Sequence, residues 1–308
     1  HDPSESGGES PGARASAGRR AETRRRRADS LFAYGTLAPA FAILLGFTVL
    51  PFVMTLWRSL QTRRGDFTTS HYERMVSSGV FHQVLQNNVI YTLVTVPATV
   101  VVSLGLALLG ANLVRGKSLA RVSFLAPAML PIVAAGTIWI YFYQPTFGLI
   151  NTIASALSLP TPNWLGSSAT ALPAMMVVAV WQQAGLFVIF YLAALLSMDP
   201  QLREAARIEG TSAWTFFRRV TWPLLMPTTL FVSVVATANS FKQVDLIFVM
   251  TRGGPHDSTN LLLYHVWETA FGQFRPEYAA AVTVVLVLIL MVVAIAQIRL
   301  LDQRIHYR

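Results

Sequence analysis

Cysteine is absent from all 308 residues, so the chain makes no disulfide, offers no thiolate to a metal and has no cysteine nucleophile. Charge is scarce as well. Asp, Glu, Lys and Arg together make 13% of the sequence, against about 25% in an ordinary soluble domain. With 53% hydrophobic residues and a positive mean hydropathy, most of such a chain must face lipid or a packed interior. In a soluble protein the +9 charge balance would point to nucleic acid. Here the basic residues stand at the ends of apolar runs, which points to membrane topology and to no nucleic-acid partner. Catalytic groupings are lacking too. The segment from Gly110 to Ser118 approaches a phosphate loop, but five residues separate its glycines where four are needed, and it follows an apolar run rather than a strand. His265 and Glu268 stand at helical i, i+3 spacing with no further His or carboxylate to complete a metal site, and His256-Asp257 has no nucleophile beside it. The chain is therefore read as no enzyme, holding no metal and no cofactor of its own.

What the sequence has in abundance is long apolar runs. The first, 31–54, exceeds the roughly 7–15 residues of a signal-peptide core and is read as a membrane span. Five more, at 84–113, 119–143, 171–197, 224–250 and 278–300, are long enough to cross about 30 Å of hydrocarbon. The expected fold is all-α, a polytopic membrane protein of six transmembrane helices over residues 29–308. Residues 1–28 are expected to form a disordered, basic cytoplasmic tail ending in four consecutive arginines, Arg24 to Arg27. Pro97, Pro127 and Pro131 lie within spans, where neighbouring helices can satisfy the freed carbonyls. Gly105 and Gly110 suggest a close helix contact on the second span. Seventeen of the twenty-four basic residues fall in segments assigned to one side, the two tails among them, so both termini are expected in the cytoplasm. The first outer loop, with Arg58, Arg63, Arg64 and Arg74, runs against this trend. The loop 144–170 has an apolar middle and no basic residue, and reads as a short interfacial helix outside.

Between two of the apolar runs lies a charged, helix-forming stretch at 199–227. Asp199 is a good N-cap, Pro200 suits the first helical position, and Gly210 supplies a stop after nine residues of mostly strong helix formers. At 1.5 Å per residue this helix is roughly 15 Å long, too short to span a bilayer. Ala205 and Ala206 leave part of its surface bare, ringed by Arg203, Glu204, Arg207 and Glu209. Thr211 or Ser212 caps a second helix carrying Trp214, Phe216 and Phe217, which Pro223 is expected to end or kink.

Glu204-Ala205-Ala206, three residues, Gly210, nine residues and then Val220-Thr221-Trp222-Pro223 resembles the E-A-A loop of ABC-importer permeases. Val220 and Trp222 stand where that pattern has Ile and Leu, and Glu209 where carbohydrate-type permeases usually have Asp. The resemblance extends from about Leu31 to the end of the chain. It includes Phe147-Gly148-Leu149-Ile150-Asn151 with Asn163-Trp164-Leu165, similar to the same external loop in sugar and glycerol-phosphate permeases, and Phe241-Lys242-Gln243-Val244-Asp245 followed by Thr251-Arg252-Gly253-Gly254-Pro255, similar to carbohydrate-type permeases. It implies a type I importer permease of the carbohydrate-uptake class, in a bacterial inner membrane. The helix at 200–209 would couple to an ATPase, with Arg203, Glu204 and Arg207 making contacts, Ala205 and Ala206 permitting depth, Gly210 making the turn and Pro223 hinging the spans. It further implies as partners a second permease subunit, an ABC ATPase dimer that carries the ATP and Mg, and an extracytoplasmic solute-binding protein. The solute would be a sugar, an oligosaccharide or a glycerol-phosphate-type compound. The plainer alternative for the stretch is a surface amphipathic hairpin.

Polar groups within the spans mark path candidates, because such groups are costly at membrane depth. Trp181, Gln182 and Gln183 interrupt the fourth span and offer a stacking face and amides; packing and interhelical bonding is the blander reading. Asn239, Lys242, Gln243 and Asp245 close the fifth. Lys242 and Asp245, three apart, would share a helix face and either neutralise each other or meet the solute. The rival from another class is a secondary transporter driven by an ion gradient, which would be expected to show two related halves and mid-membrane carboxylates. No clear repeat is visible.

Overall fold

The computed structural model describes residues 35–112 and 117–302, with the side chains at 112–121 and 300–302 left aside. The expected tail at 1–28 lies outside the described residues. The chain divides into two compact units, His1–Trp57 and Arg58–Arg308. Helix α1, Gly35–Ser59, supplies the described part of the first and its exit. In the second, the short α2 (Ser70–Ser77) precedes α3 (Gly79–Asn112), α4 (Lys117–Met129), α5 (Ile132–Phe142) and α6 (Leu149–Ala156). Then come α7 (Ala171–Leu196), α8 (Pro200–Ile208), the long α9 (Ala213–Phe241), α10 (Asp245–Met250), α11 (Leu262–Trp267) and α12 (Pro276–Asp302). No strand occurs among the described residues, and the only strand-like pairing is a single bridge between Gln61 and Phe67. Among the described residues five helices are long and apolar enough to cross a membrane, or six if a bent pair is one span. This is the all-α, polytopic architecture expected.

Prolines decide where the spans deviate. The expected third span is two helices meeting at 103° across Leu130-Pro131. Pro127 and Pro131 are four apart, so neither can donate to the helical ladder, and Leu130 is pushed out of helical geometry by the proline after it. Elsewhere the helix widens instead of breaking. In α1 the Leu50 N–H reaches back five residues to the Leu45 carbonyl, just ahead of Pro51. In α9 the Trp222 N–H does the same to Phe217, just ahead of Pro223. An ordinary turn would press each proline ring on the carbonyl four residues back, and a π turn opens that space. Pro223 therefore neither ends the helix nor separates it from the span, and the helix that makes the fifth candidate crossing begins at Ala213.

In lipid there is no water to expel, so close packing holds helices together. Gly185 on α7 is the clearest instance. A methyl group there would lie 2.8 Å from the Phe124 carbonyl oxygen and 3.3 Å from the Ala128 nitrogen of α4. The expected contact at Gly105 is not seen: among the described residues nothing lies within 4 Å of a Cβ built there, and Gly110 meets only the ring of Phe124. Three buried clusters follow. One, around Phe187, Tyr191, Leu225 and Val232, packs α7 on α9 towards the α8 end. Another, around Tyr91, Tyr143, Met175, Leu246 and Leu261, gathers α3, α7 and α10 at the opposite end. A third joins Phe81, Val84, Leu262, Tyr278 and Val282 where α3, α11 and α12 meet.

Candidate functional site

The helix α8 is held by its own ends. The Asp199 carboxylate accepts the Gln201 N–H at 2.9 Å, and Pro200 begins the helix where a missing donor costs nothing. At the other end the Gly210 N–H bonds to Arg207 O at 3.2 Å and the Thr211 N–H to Ala206 O at 2.9 Å. This double closure needs a left-handed residue, and Gly210 has φ +66 with nothing within 4 Å of its absent side chain. Ser212, rather than Thr211, caps the next helix by accepting the Thr215 N–H at 3.3 Å. No residue of α8 is buried, and Ile208 is 88% exposed.

Two cavities, of about 370 and 320 Å³, lie beside this helix. Arg203 and Arg207, one turn apart, line both, together with Ala111, Leu195 and Phe216. Glu204 lines the first and Ala206 the second. Ala205 and Ile208 line neither. The motif residues thus sort into an inner row that faces the rest of the chain and an exposed outer row of Ala205 and Ile208 that lines neither cavity.

The polar groups of the spans separate in the same way. The Gln182 amide donates to Leu130 O at 3.1 Å, the carbonyl exposed by the break between α4 and α5. Trp181 packs edge-on against Trp139 at 5.6 Å, in an aromatic group with Phe142, Tyr143 and Trp164. Gln183 Oε1 and Gln243 Nε2, by contrast, are buried and have no hydrogen-bond partner among the described residues. An unmet buried amide costs about 1–3 kcal/mol, so these two groups call for a partner that the described residues do not supply. Asn239 is half-buried on the last turn of α9. Lys242 and Asp245 do not share a helix face. The helix ends at Phe241, Lys242 caps it with φ −91 and ψ 7, and a new helix starts at Asp245 beyond an irregular Val244. Both side chains are exposed. Sequence reasoning missed Tyr91, fully buried in α3 with an unpartnered hydroxyl, whose signal was one Tyr inside an apolar run.

The end opposite α8 is tightly tied. Gln83 Nε2 donates to His256 O at 2.8 Å, Asn87 Nδ2 to Asp257 O at 2.8 Å and Asn260 O at 3.1 Å, and Asn88 Oδ1 accepts the Leu262 N–H at 3.1 Å. Three amides of α3 thus pin the segment 256–260, just after the Gly253-Gly254-Pro255 turn, and the start of α11. Asn260 Nδ2 sits between Asp257 Oδ1 at 3.0 Å and Glu268 Oε2 at 3.4 Å. Burial and the charge of Asp257 raise the Glu268 carboxyl above its usual range, against the Asn260 bond. Burial lowers the His265 imidazole, and neither of its ring nitrogens finds a partner. In the preceding loop the two motif pieces meet: Trp164 Nε1 donates to Asn151 Oδ1 at 2.7 Å.

Comparison with known proteins gives one consistent result. Residues 75–307 match the family model described as binding-protein-dependent transport system inner membrane component. The lactose transport system permease protein LacF of Rhizobium radiobacter is 31% identical over 84% of this chain and 90% of its own length. A probable ABC transporter permease protein of Pyrococcus horikoshii is 30% identical over 84% and 91%. A crystal structure of a bacterial alginate ABC transporter in complex with an alginate pentasaccharide-bound periplasmic protein superposes with a TM-score of 0.79 over 89% of this chain and 94% of that one, at 19% identity.

Proposed function

We propose, from the premise that this chain belongs to the binding-protein-dependent transport system inner membrane components, that it is the permease subunit of an ATP-driven importer of a sugar-type solute. The observation that carries this reading is α8: a helix capped at both ends by its own chain, with no buried residue and an outer row of Ala205 and Ile208 left bare. A helix in water with an unused apolar row is built to be covered by something else. On this reading the α8 side is cytoplasmic, and an ABC ATPase dimer, which carries the ATP and Mg, covers it.

A second permease subunit pairs with this one, and an extracytoplasmic solute-binding protein delivers the solute to the face that holds Gly253 to Pro255. Closure of the ATPase dimer draws the coupling helices together and turns the spans outward, giving alternating access. Gln183, Gln243 and Asn239 offer hydrogen bonds to hydroxyls along the path. The lactose and alginate transported by the relatives favour a sugar or oligosaccharide, and a glycerol-phosphate-type solute remains within the same chemistry.

Because the chain has no cysteine, two single-cysteine variants, Ile208→Cys and Asp257→Cys, report sidedness in intact cells. Only the second is expected to react with an impermeant maleimide. Affinity purification is expected to bring down an ATPase, and solute uptake into proteoliposomes to require ATP. Labelling of position 208 from outside, or uptake driven by an ion gradient with no ATPase present, overturns the reading.

A further inference from the structure

The face opposite α8 carries a basic collar that the transport reading does not use. It is built from residues 58–78 and 271–278, at the exit of α1 and the entries of α3 and α12. Ser59 Oγ and the Tyr72 hydroxyl are 2.7 Å apart, and the His71 ring meets the Gln61 carbonyl at 2.9 Å. Arg58 and Arg63 stand 3.8 and 3.9 Å from the Glu277 carboxylate, and Arg63 also donates to the Phe274 carbonyl. Arg74 and Arg275 come from different elements and both lie within electrostatic reach of the buried Tyr278 hydroxyl. Arg64 follows Arg63 in the chain, so these two short segments carry five arginines.

Three carboxylates oppose them. Glu277 is taken by two arginines, Asp66 is bonded to Thr62, and Glu73 to Thr69. Among the described residues Arg64, Arg74 and Arg275 have no ion-pair partner, and all three are exposed. The same segments expose large apolar side chains: Phe67 at 71%, Val76 at 67%, Phe271 at 67% and Phe274 at 71%. Aromatic groups beside unpaired arginines, at the mouths of membrane-spanning helices, match the boundary between acyl chains and headgroups. A guanidinium fork meets two phosphate oxygens at once.

We propose that this collar binds the phosphodiester headgroup of an anionic phospholipid, with Arg64, Arg74 and Arg275 on the phosphate and the exposed aromatics in the acyl region. A bound anion also accounts for an arginine-rich first loop on the side where basic residues are otherwise few. An acidic protein surface would satisfy the charge but would leave the four apolar side chains at the hydrocarbon edge unused.

Native mass spectrometry of the purified complex, with its co-purifying partners, tests this with phosphatidylglycerol against phosphatidylcholine of the same acyl chains. Phosphatidylglycerol is expected to be retained on the order of tenfold more, and R64Q/R74Q/R275Q to bring it down to the phosphatidylcholine level. The matching triple Lys variant is expected to restore most of the difference. Equal retention of the two lipids by the unaltered complex overturns the proposal whatever the variants do. So does undiminished retention by the Gln variant, or displacement of the lipid by millimolar inorganic phosphate, which would mark a soluble-anion site.

Discussion

At one end of the molecule, residues 199–212 form a helix and turn whose bonds are all local and none of whose helical side chains is buried. At the other, Ser258 to Leu262 are buried in succession and are tied by Asn87 and Asn88 to a helix more than 170 positions away in sequence. The first is finished as a shape and unfinished as a surface. The second is finished as both. A part whose backbone is complete and none of whose side chains is buried can be docked and released without unfolding. A part pinned by buried amides moves only as a block with the helix that pins it. On the proposed reading, force would enter at α8 while the opposite rim stays rigid.

The largest effect is expected at the rigid end. Asn87→Leu removes the donor to two carbonyls, of Asp257 and Asn260, the second in a buried bond. Leaving them unmet costs about 2–3 kcal/mol. A lowered thermal midpoint, and faster amide exchange confined to residues 252–262, are the expected readings. Uniformly faster exchange across α8 as well would erase the distinction between the two ends.

Gly210→Val comes next and works by a different route. No neighbour obstructs the added side chain, so the cost is the left-handed backbone alone, about 1–2 kcal/mol for a β-branched residue. The chain is expected to stay in the membrane with its thermal midpoint lowered by no more than that strain, while solute-stimulated ATPase in proteoliposomes falls about tenfold, the factor that 1.4 kcal/mol sets. Gly210→Asn, which tolerates φ near +60, is expected to lose far less. Equal losses for Asn and Val would show that the backbone conformation is not what matters there.

The same contrast governs what was legible in the sequence. The α8 end could be read because its signals are local: Asp199, Pro200 and Gly210 lie within a dozen residues and each has one structural meaning. The spans were legible for a similar reason, since length and apolarity need no partner. The break at Leu130-Pro131 was not, because Pro97 sits inside α3 without breaking it. Only the pair Pro127 and Pro131, with Gln182 arriving from 52 residues away to take the freed carbonyl, makes a break affordable. The helix stop at Phe241 was hidden likewise, since Lys242 and Asp245 at spacing three suggest a continuous helix. The close approach at Gly185 depends on α4, and nothing beside Gly185 in sequence announces it. The orphan amides of Gln183 and Gln243 could be named as polar in a span, yet their lack of partners is a property of the packed bundle.

A smaller effect concerns pH at the rigid end, where two groups pull in opposite directions. His265 has its pKa lowered by burial, so the unfolded chain takes up a proton near the ordinary value of 6.5 before the folded one does. Its contribution to stability is therefore full above that value and is lost as pH falls below it. Glu268 is raised, so the folded chain takes up its proton first and gains stability as pH falls towards the carboxylate range. His265→Phe, which keeps a ring against Tyr278, is expected to flatten the loss of melting temperature between about pH 6.5 and 5. Glu268→Gln is expected to steepen it. Identical pH profiles for both variants and the parent chain would exclude these two residues as the source.

The smallest effect on stability, and the sharpest test of the contrast, is expected at Ile208. Its side chain is 88% exposed, so Ile208→Ala removes almost no buried area and is expected to move the thermal midpoint by no more than about 0.5 kcal/mol equivalent. If the outer row of α8 is the covered face in the assembled transporter, the same change removes three carbons from that contact. At about 0.8 kcal/mol per buried methylene, roughly 2 kcal/mol of docking is lost. Retention of the ATPase by the purified complex is then expected to weaken by over tenfold. Arg203→Gln, on the inner row, should leave retention closer to the parent because its side chain lines the chain's own cavities. A ranking in which Arg203→Gln releases the ATPase and Ile208→Ala does not would reverse the two rows, and α8 would have to meet its partner through the charged side.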